Sequence, residues 1–290
     1  MRITAKTQKV GLLGWPLSHS LSPAMHNAAF AATGLDYVYL PLATPPALLP
    51  QAVAGLTALG FSGVNVTIPH KVAIIDCLDE LDASAQLAGA VNTVLISGGR
   101  LLGYNTDGSG YIGSLLSAGV AVQAKQAVVL GAGGAARAVV AGFVGGGITS
   151  VCIGARDAGR AAAVAALFAG TGTPVSGTGW DSSGFEQAVA NADIIVNTTP
   201  LGMYPDVASQ PPLAWARIKP AAVISDLVYN PLQTGFLAEA SRRGHTVVTG
   251  EGMLLEQGAL AFQLWTGSPA PLAVMRQALL AGLHSKSTGL

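Results

Sequence analysis

The chain has 290 residues, enough for two ordinary domains that each bury a core. Half of it is hydrophobic and only 10% is charged, with 15 basic residues against 15 acidic ones. That balance excludes the one-signed surface that holds nucleic acid or an anionic membrane, and leaves a small-molecule partner and either a monomer or a homodimer.

The amino terminus, MRITAKTQKVGLLGWP, lacks an apolar stretch long enough for a signal peptide, and no block of 18 uncharged apolar residues follows anywhere. A cytoplasmic protein without a membrane span is expected. VGLLG (10–14) reads as a strand; Ser22 and Pro23 then open a helix, the serine as N-cap and the proline at the first helical position, and Gly34 closes it. DYVYLPLA (36–43) is a second strand, PALLPQAVAGLTALG (46–60) a helix despite its proline, and GVNVTI (63–68) a third strand leading into a helix over HKVAIIDCLDEL (70–81). AVNTVLI (90–96) and LLGYN (101–105), separated by SGGR, form a hairpin. Cys77 and Cys152 have no CxxC spacing and read as buried free thiols.

A second series begins at KQAVVLGAGGAARAVVAGF (125–143), where an apolar strand runs into a glycine turn and a helix. TSVCIGARDAGRAAAVAALFAG (149–170) repeats that form, and ADIIVNTTPLGM (192–203) and AAVISDLVYNP (221–231) add further strands. Strands alternating with helices at this spacing predict an α/β fold with a parallel, doubly wound sheet. Two helices near Glu251–Trp265 and Ala270–Leu283 end the chain; being rich in Leu, Ala and Met, they need a surface to cover and are expected to pack back on the first domain.

The turn Gly131-Ala132-Gly133-Gly134-Ala135-Ala136 follows a strand and opens a helix, the context in which a glycine-rich pattern signals dinucleotide binding. Gly131 permits the tight turn, Gly133 lets the backbone approach a pyrophosphate, and the helix start offers unpaired N–H groups. A plain strand-to-helix turn is the alternative. About 20 residues on, where such folds choose between the nicotinamide dinucleotides, the chain reads GARDAGR (154–160). Asp157 would accept from ribose hydroxyls and repel a 2′-phosphate, whereas Arg156 and Arg160 would attract one, so the residues point both ways.

GWPLSHSLSPAMHN (14–27), NVTIPHK (65–71), AGAVNT (88–93), GYNTDG (103–108) and GMLLEQGA (252–259) place single polar side chains at the ends of apolar elements. With GAGGAAR and VYNP (228–231), they closely resemble the shikimate/quinate dehydrogenase family, in the family's order from about residue 11 to residue 265. The resemblance implies a substrate domain, residues 1–106 and 251–290, and a Rossmann-type NAD(P)-binding domain, residues 107–250, flanking a cleft. It implies oxidation of a ring hydroxyl of shikimate or quinate, with hydride passing to NADP or NAD and 3-dehydroshikimate reduced in the other direction. Ser20 and Ser22 would bind the substrate carboxylate, and Asn65, Thr67, Asn92 and Gln257 its ring hydroxyls, since amides and hydroxyls both donate and accept.

Lys71 and Asp107 are the implied proton-transfer pair. Oxidising a carbinol needs a base for the hydroxyl proton, and a lysine serves near neutral pH only where desolvation or positive neighbours favour its neutral form; the Asp orients it. Tyr229 would lie near substrate or nicotinamide, Thr198, Pro200 and Met203 beside the nicotinamide, and Val228 and Gly250 on the cofactor side with Gly131, Ala132, Gly133, Gly134 and Ala135. His19, His26 and His70 suggest no metal site and are read as structural. NADP-using members commonly carry Asn-Arg-Thr where this chain has Ala155, Arg156 and Asp157. Loss of the Thr and gain of an acid lean the reading towards NAD, with Arg156 as an adenine-face contact. Two alternatives stand: a dehydrogenase-like binder or sensor without turnover, and a dehydrogenase of an analogue such as aminoshikimate.

Overall fold

The computed structural model describes residues 3–18 and 20–287, so His19 lies outside the described residues. The chain divides into two compact units, Met1–Thr106 with Leu255–Leu290, and Asp107–Leu254.

In the first unit, β1 (Gln8–Gly14), α1 (Ser22–Thr33), β2 (Tyr37–Ala43), α2 (Leu49–Ala58) and β3 (Phe61–Val66) form parallel strands with helical crossovers. β4 (Glu80–Leu81), α3 (Ala83–Ala88), β5 (Thr93–Ser97) and β6 (Arg100–Tyr104) follow, and the sheet runs β2-β1-β3-β5-β6-β4. The β5–β6 hairpin turns through Gly98 and Gly99, both in the left-handed region, and pairs antiparallel with β3. Leu13, Val53, Leu56, Val64, Ile74 and Val94 meet in the core under this sheet.

Two expectations fail here. Leu21 occupies the cap position of α1 with no side-chain cap bond, and Ser22 is already the first helical residue; its N–H donates to Ser20 Oγ at 3.3 Å. The segment 70–81 is not an α-helix. Its apolar spacing mimics one, but only a 3₁₀ turn, Ala73–Cys77, forms. The chain leaves it to add β4 to the sheet, with Asp79 N–H donating to Leu101 O at 3.0 Å and Leu101 N–H returning a bond to Asp79 Oδ2 at 2.7 Å. Lys71 therefore sits on a turn, not at a helix start.

The second unit opens with α4 (Thr106–Ser117), then β7 (Gln126–Leu130), α5 (Gly134–Gly145), β8 (Ser150–Ala155), α6 (Ala158–Ala166), β9 (Val175–Gly179), α7 (Ser183–Asn191), β10 (Ile194–Asn197), β11 (Val223–Asp226), α8 (Gly235–Arg242) and β12 (Thr246–Val248). All six strands are parallel in the order β12-β11-β10-β7-β8-β9. Strands buried on both faces need continuous apolar runs, and Val128, Leu130, Ile195 and Ile224 supply them against Phe185 and Phe236. The order reverses between β7 and β10, the switch point at which such sheets bind ligands.

The chain ends in α9 (Gly250–Thr266) and α10 (Leu272–Ser287). As expected they return to the first unit: a Cβ at Gly258 would lie 2.4 Å from Met25 Cε, one at Gly282 2.8 Å from Leu21 Cδ2, and Trp265 Nε1 donates to Val94 O at 3.1 Å. Cys77 and Cys152 are free, both half-buried rather than fully enclosed. No described helix is long and apolar enough to cross a membrane.

Candidate active site

In the first unit three of the polar residues singled out by sequence, Asn65, Asn92 and Gln257, join one buried hydrogen-bonded chain. Tyr39 on β2 donates its phenol proton to Asn65 Oδ1 on β3 at 2.8 Å. Asn65 Nδ2 donates to Thr93 Oγ1 at 3.0 Å and to Asn92 O at 3.3 Å. The Thr93 hydroxyl donates to Asn92 Oδ1 at 3.1 Å, and Asn92 Nδ2 donates to Thr106 Oγ1 at 2.9 Å and Gln257 Oε1 on α9 at 3.3 Å. Asn65, Asn92 and Gln257, linked by bonds that span up to 165 positions, are thus drawn together by mutual satisfaction of groups that burial would otherwise penalise.

Burial holds the Tyr39 phenol well above its usual range, with the nearby Ser22 hydroxyl opposing. Ser22 and Asn65 are thus both neighbours of Tyr39, a residue that sequence reasoning passed over as part of an apolar strand, and Ser20 Oγ accepts from Ser22 N–H at 3.3 Å. Thr67 continues β3, its N–H donating to Leu13 O at 2.9 Å. Two residues beyond the bend that follows, Lys71 is half-buried on a turn fixed from both sides: His70 N–H donates to Thr67 O at 2.9 Å, Val91 N–H to Lys71 O at 2.7 Å, and the His70 ring to Thr44 O at 2.7 Å. His26 is wholly buried with neither ring nitrogen bonded, and desolvation lowers its pKa to about 3. No group of metal-binding side chains occurs among the described residues.

In the second unit the glycine turn is shaped as its sequence demanded. Gly131 has φ 113° and its Cβ would fall 2.8 Å from Thr198 Oγ1, so only glycine fits. Thr198 is tied down by two bonds to Leu130 O, from its N–H at 2.9 Å and its hydroxyl at 2.7 Å. At Gly133 an added Cβ would meet nothing within 4 Å, and α5 begins with no side chain capping its N–H groups. Open ground and unpaired donors at a helix start suit a phosphate, so Gly131, Ala132, Gly133, Gly134 and Ala135 fit a dinucleotide.

The strand ends beside this turn are braced by a group that sequence reasoning missed. Asp226, fully buried at the end of β11, accepts from Asn197 Nδ2 at 3.0 Å, Val228 N–H at 2.9 Å and Thr234 Oγ1 at 2.7 Å. Asn197 in turn accepts from Thr199 and donates to Leu201 O, fixing the loop that carries Thr198, Pro200 and the exposed Met203. Burial pushes the Asp226 carboxyl up to about 6, with the three donated bonds pulling the other way. A carboxylate ending an apolar strand was the available signal. Gly250 closes on the same region, since its Cβ would lie 2.6 Å from both Leu227 O and Val228 O. Burial raises the pKa of Tyr229.

Asp107 is buried in the first turn of α4, whose position is set by a glycine pair: a Cβ at Gly142 would lie 2.5 Å from Gly108 O. Arg156, Asp157 and Arg160 are exposed. Asp157 caps α6, accepting from Arg160 N–H at 3.1 Å through Oδ1, a structural role the sequence reading did not assign.

A parallel sheet in this order, with an uncapped glycine turn at its switch point, is the architecture of a Rossmann-type dinucleotide-binding domain. A family model described as the shikimate dehydrogenase substrate binding domain matches residues 12–94, one described as the shikimate 5'-dehydrogenase C-terminal domain matches 250–280, and one described as NADP oxidoreductase, coenzyme F420-dependent, matches 126–227. The chain is 49% identical to the shikimate dehydrogenase (NADP(+)) of Moorella thermoacetica, over 100% of this chain and 98% of that protein. A crystal structure of a shikimate dehydrogenase in complex with NADP+ superposes with a TM-score of 0.90 at 41% identity, covering 97% of this chain and 98% of the other. The shikimate 5-dehydrogenase of Listeria monocytogenes, solved with shikimate and NAD, gives 0.90 at 36%, covering 96% and 98%. The chain belongs to the shikimate dehydrogenase family and is an NAD(P)-dependent oxidoreductase acting on a CH–OH group.

Proposed function

We propose that the protein interconverts shikimate and 3-dehydroshikimate, with Lys71 and Asp107 as the proton-transfer pair. The observation that carries this is the buried chain from Tyr39 through Asn65 and Asn92 to Gln257: neutral groups that donate and accept, built beside the Lys71 turn, match a small acid bearing several hydroxyls. Ser20 and Ser22 take the carboxylate, and Asn65, Thr67, Asn92 and Gln257 the ring hydroxyls. The bound dinucleotide supplies the hydride acceptor. In oxidation the neutral Lys71 amine takes the hydroxyl proton as the carbinol hydrogen leaves as hydride; in reduction the ammonium returns it. Asp107 orients the amine, and Tyr229 lies on the substrate and nicotinamide side.

For the cofactor we favour NADP over the leaning to NAD. That leaning rested on Asp157, whose Oδ1 is engaged in capping α6, while Arg156 and Arg160 are exposed for a 2′-phosphate. The Moorella thermoacetica relative and one of the solved neighbours are described with NADP. A cytoplasmic location goes with this role. A spectrophotometric assay of shikimate, quinate and aminoshikimate, each with NADP and NAD, tests the reading. The highest kcat/KM is expected for shikimate with NADP; preference for quinate, or no NADP-linked turnover of shikimate, overturns it.

A further inference from the structure

The hydrogen-bond inventory of Asn65 is nearly exhausted before any substrate arrives. An Asn amide has two N–H donors and two oxygen lone pairs. Both donors are committed, to Thr93 Oγ1 at 3.0 Å and to Asn92 O at 3.3 Å, and one lone pair holds the Tyr39 hydroxyl at 2.8 Å. What remains is a single lone pair on Oδ1. The amide cannot turn over to change this, since a flip would set its oxygen against the Asn92 carbonyl and lose both N–H bonds.

Tyr39 is itself held rigidly. Its ring is 1% exposed and stacks on His26, with centroids 4.5 Å apart and planes 1° from parallel. Trp265 lies against it at 6.1 Å. With the phenol kept protonated by burial, the hydroxyl is a fixed donor to Asn65.

We propose that Tyr39 is a positioning and specificity-determining residue, which fixes Asn65 as an acceptor-only contact so that the ring substituent meeting it must carry a proton. The inference rests on the reading of Asn65 as a substrate residue. A hydroxyl or amino group at that ring position is accepted, whereas a fluoro or methoxy group presents lone pairs to a lone pair and is refused. Tyr39 need not touch substrate; it acts through Asn65. Replacing it by Phe keeps the stack on His26 but removes the donor, leaving the Asn65 oxygen short of a partner and free to shift, so the selection loosens.

The test is kinetic. Shikimate and a set of deoxyfluoro shikimates, one ring position changed at a time, are assayed with the parent enzyme, Tyr39→Phe and Asn65→Ala. At one position the parent should discriminate against fluorine by at least about tenfold, the scale of one lost hydrogen bond. Tyr39→Phe should raise KM for shikimate by about tenfold, with kcat changed less, and shrink that discrimination to a few-fold. A ratio of two substrates on one preparation does not depend on the fraction folded, so a merely structural role would leave it unchanged. If Asn65→Ala alters the discrimination and Tyr39→Phe leaves it at the parent value, the proposal fails alone; if Asn65→Ala leaves it unchanged too, the substrate reading of Asn65 fails with it.

Discussion

In the proposed function the two units prepare for a ligand in opposite ways. The first presents side chains, and the polar groups in its buried chain are held by one another: Tyr39 by Asn65, Asn65 by Thr93, Asn92 by Thr106 and Gln257. The second presents bare backbone, with Gly131 and Gly133 stripping the turn of side chains and α5 left uncapped. A ring with several hydroxyls must be read group by group, which needs many oriented donors and acceptors. A pyrophosphate is read by charge, which needs close approach and free N–H groups. The contrast teaches that preorganisation means saturation in one unit and deliberate vacancy in the other.

The largest expected effect breaks the chemistry and spares both binding devices. Lys71→Ala should lower kcat by about 10² to 10⁴, the range of a lost general acid-base group. A rate within tenfold of the parent in single-turnover measurements would remove Lys71 from catalysis.

Next, the two units should respond to acid with opposite signs. His26 in the first unit titrates near 6.5 unfolded but about 3 folded, so the unfolded chain takes its proton first and this contribution to stability falls as pH drops from 6.5 towards 3. Asp226 in the second has a folded pKa of about 6, above its unfolded value of 3.8, so its contribution falls as pH rises from about 4 to 6. At about 1.4 kcal/mol per pKa unit each slope is on the order of 3 to 5 kcal/mol. Melting curves across this range should lose the first slope in His26→Met and the second in Asp226→Asn. Persistence of either slope in its own variant would contradict the assignment.

The smallest effect concerns cofactor choice. Asp157→Thr should raise the NADP-to-NAD ratio of kcat/KM by a few-fold, since a threonine also caps α6 but no longer repels a 2′-phosphate. An unchanged ratio would show that the carboxylate serves only as a cap.

Much of the second unit was readable in the sequence because its signals are local. A strand, a glycine turn and a helix lie consecutively in residues 125–143, and they form β7 and α5 in that order. β9 escaped because VSGTG carries two glycines and a serine in five residues, and α4 because TDGSGYIGSLLS dilutes its apolar face with small residues. In the first unit the segment 70–81 misled because helical periodicity and a strand pairing competed, and β4 drew the chain out of the helix. The motif residues Asn65, Asn92 and Gln257 were visible as types, but their mutual bonds cross up to 165 positions and exist only in three dimensions. Tyr39 and Asp226 went unseen for that reason: each looks like a strand residue until its partners arrive.

The division of labour between the units is tested most directly by equilibrium titration of each ligand into two variants. Gly133→Val fills the open ground at the glycine turn, and Thr67→Val removes one hydroxyl from the polar unit while keeping its shape. Gly133→Val should weaken NADP by tenfold or more, on the order of 1.4 kcal/mol, and leave shikimate unchanged, while Thr67→Val should weaken shikimate and leave NADP unchanged. Equal weakening of both ligands by both variants would contradict the account.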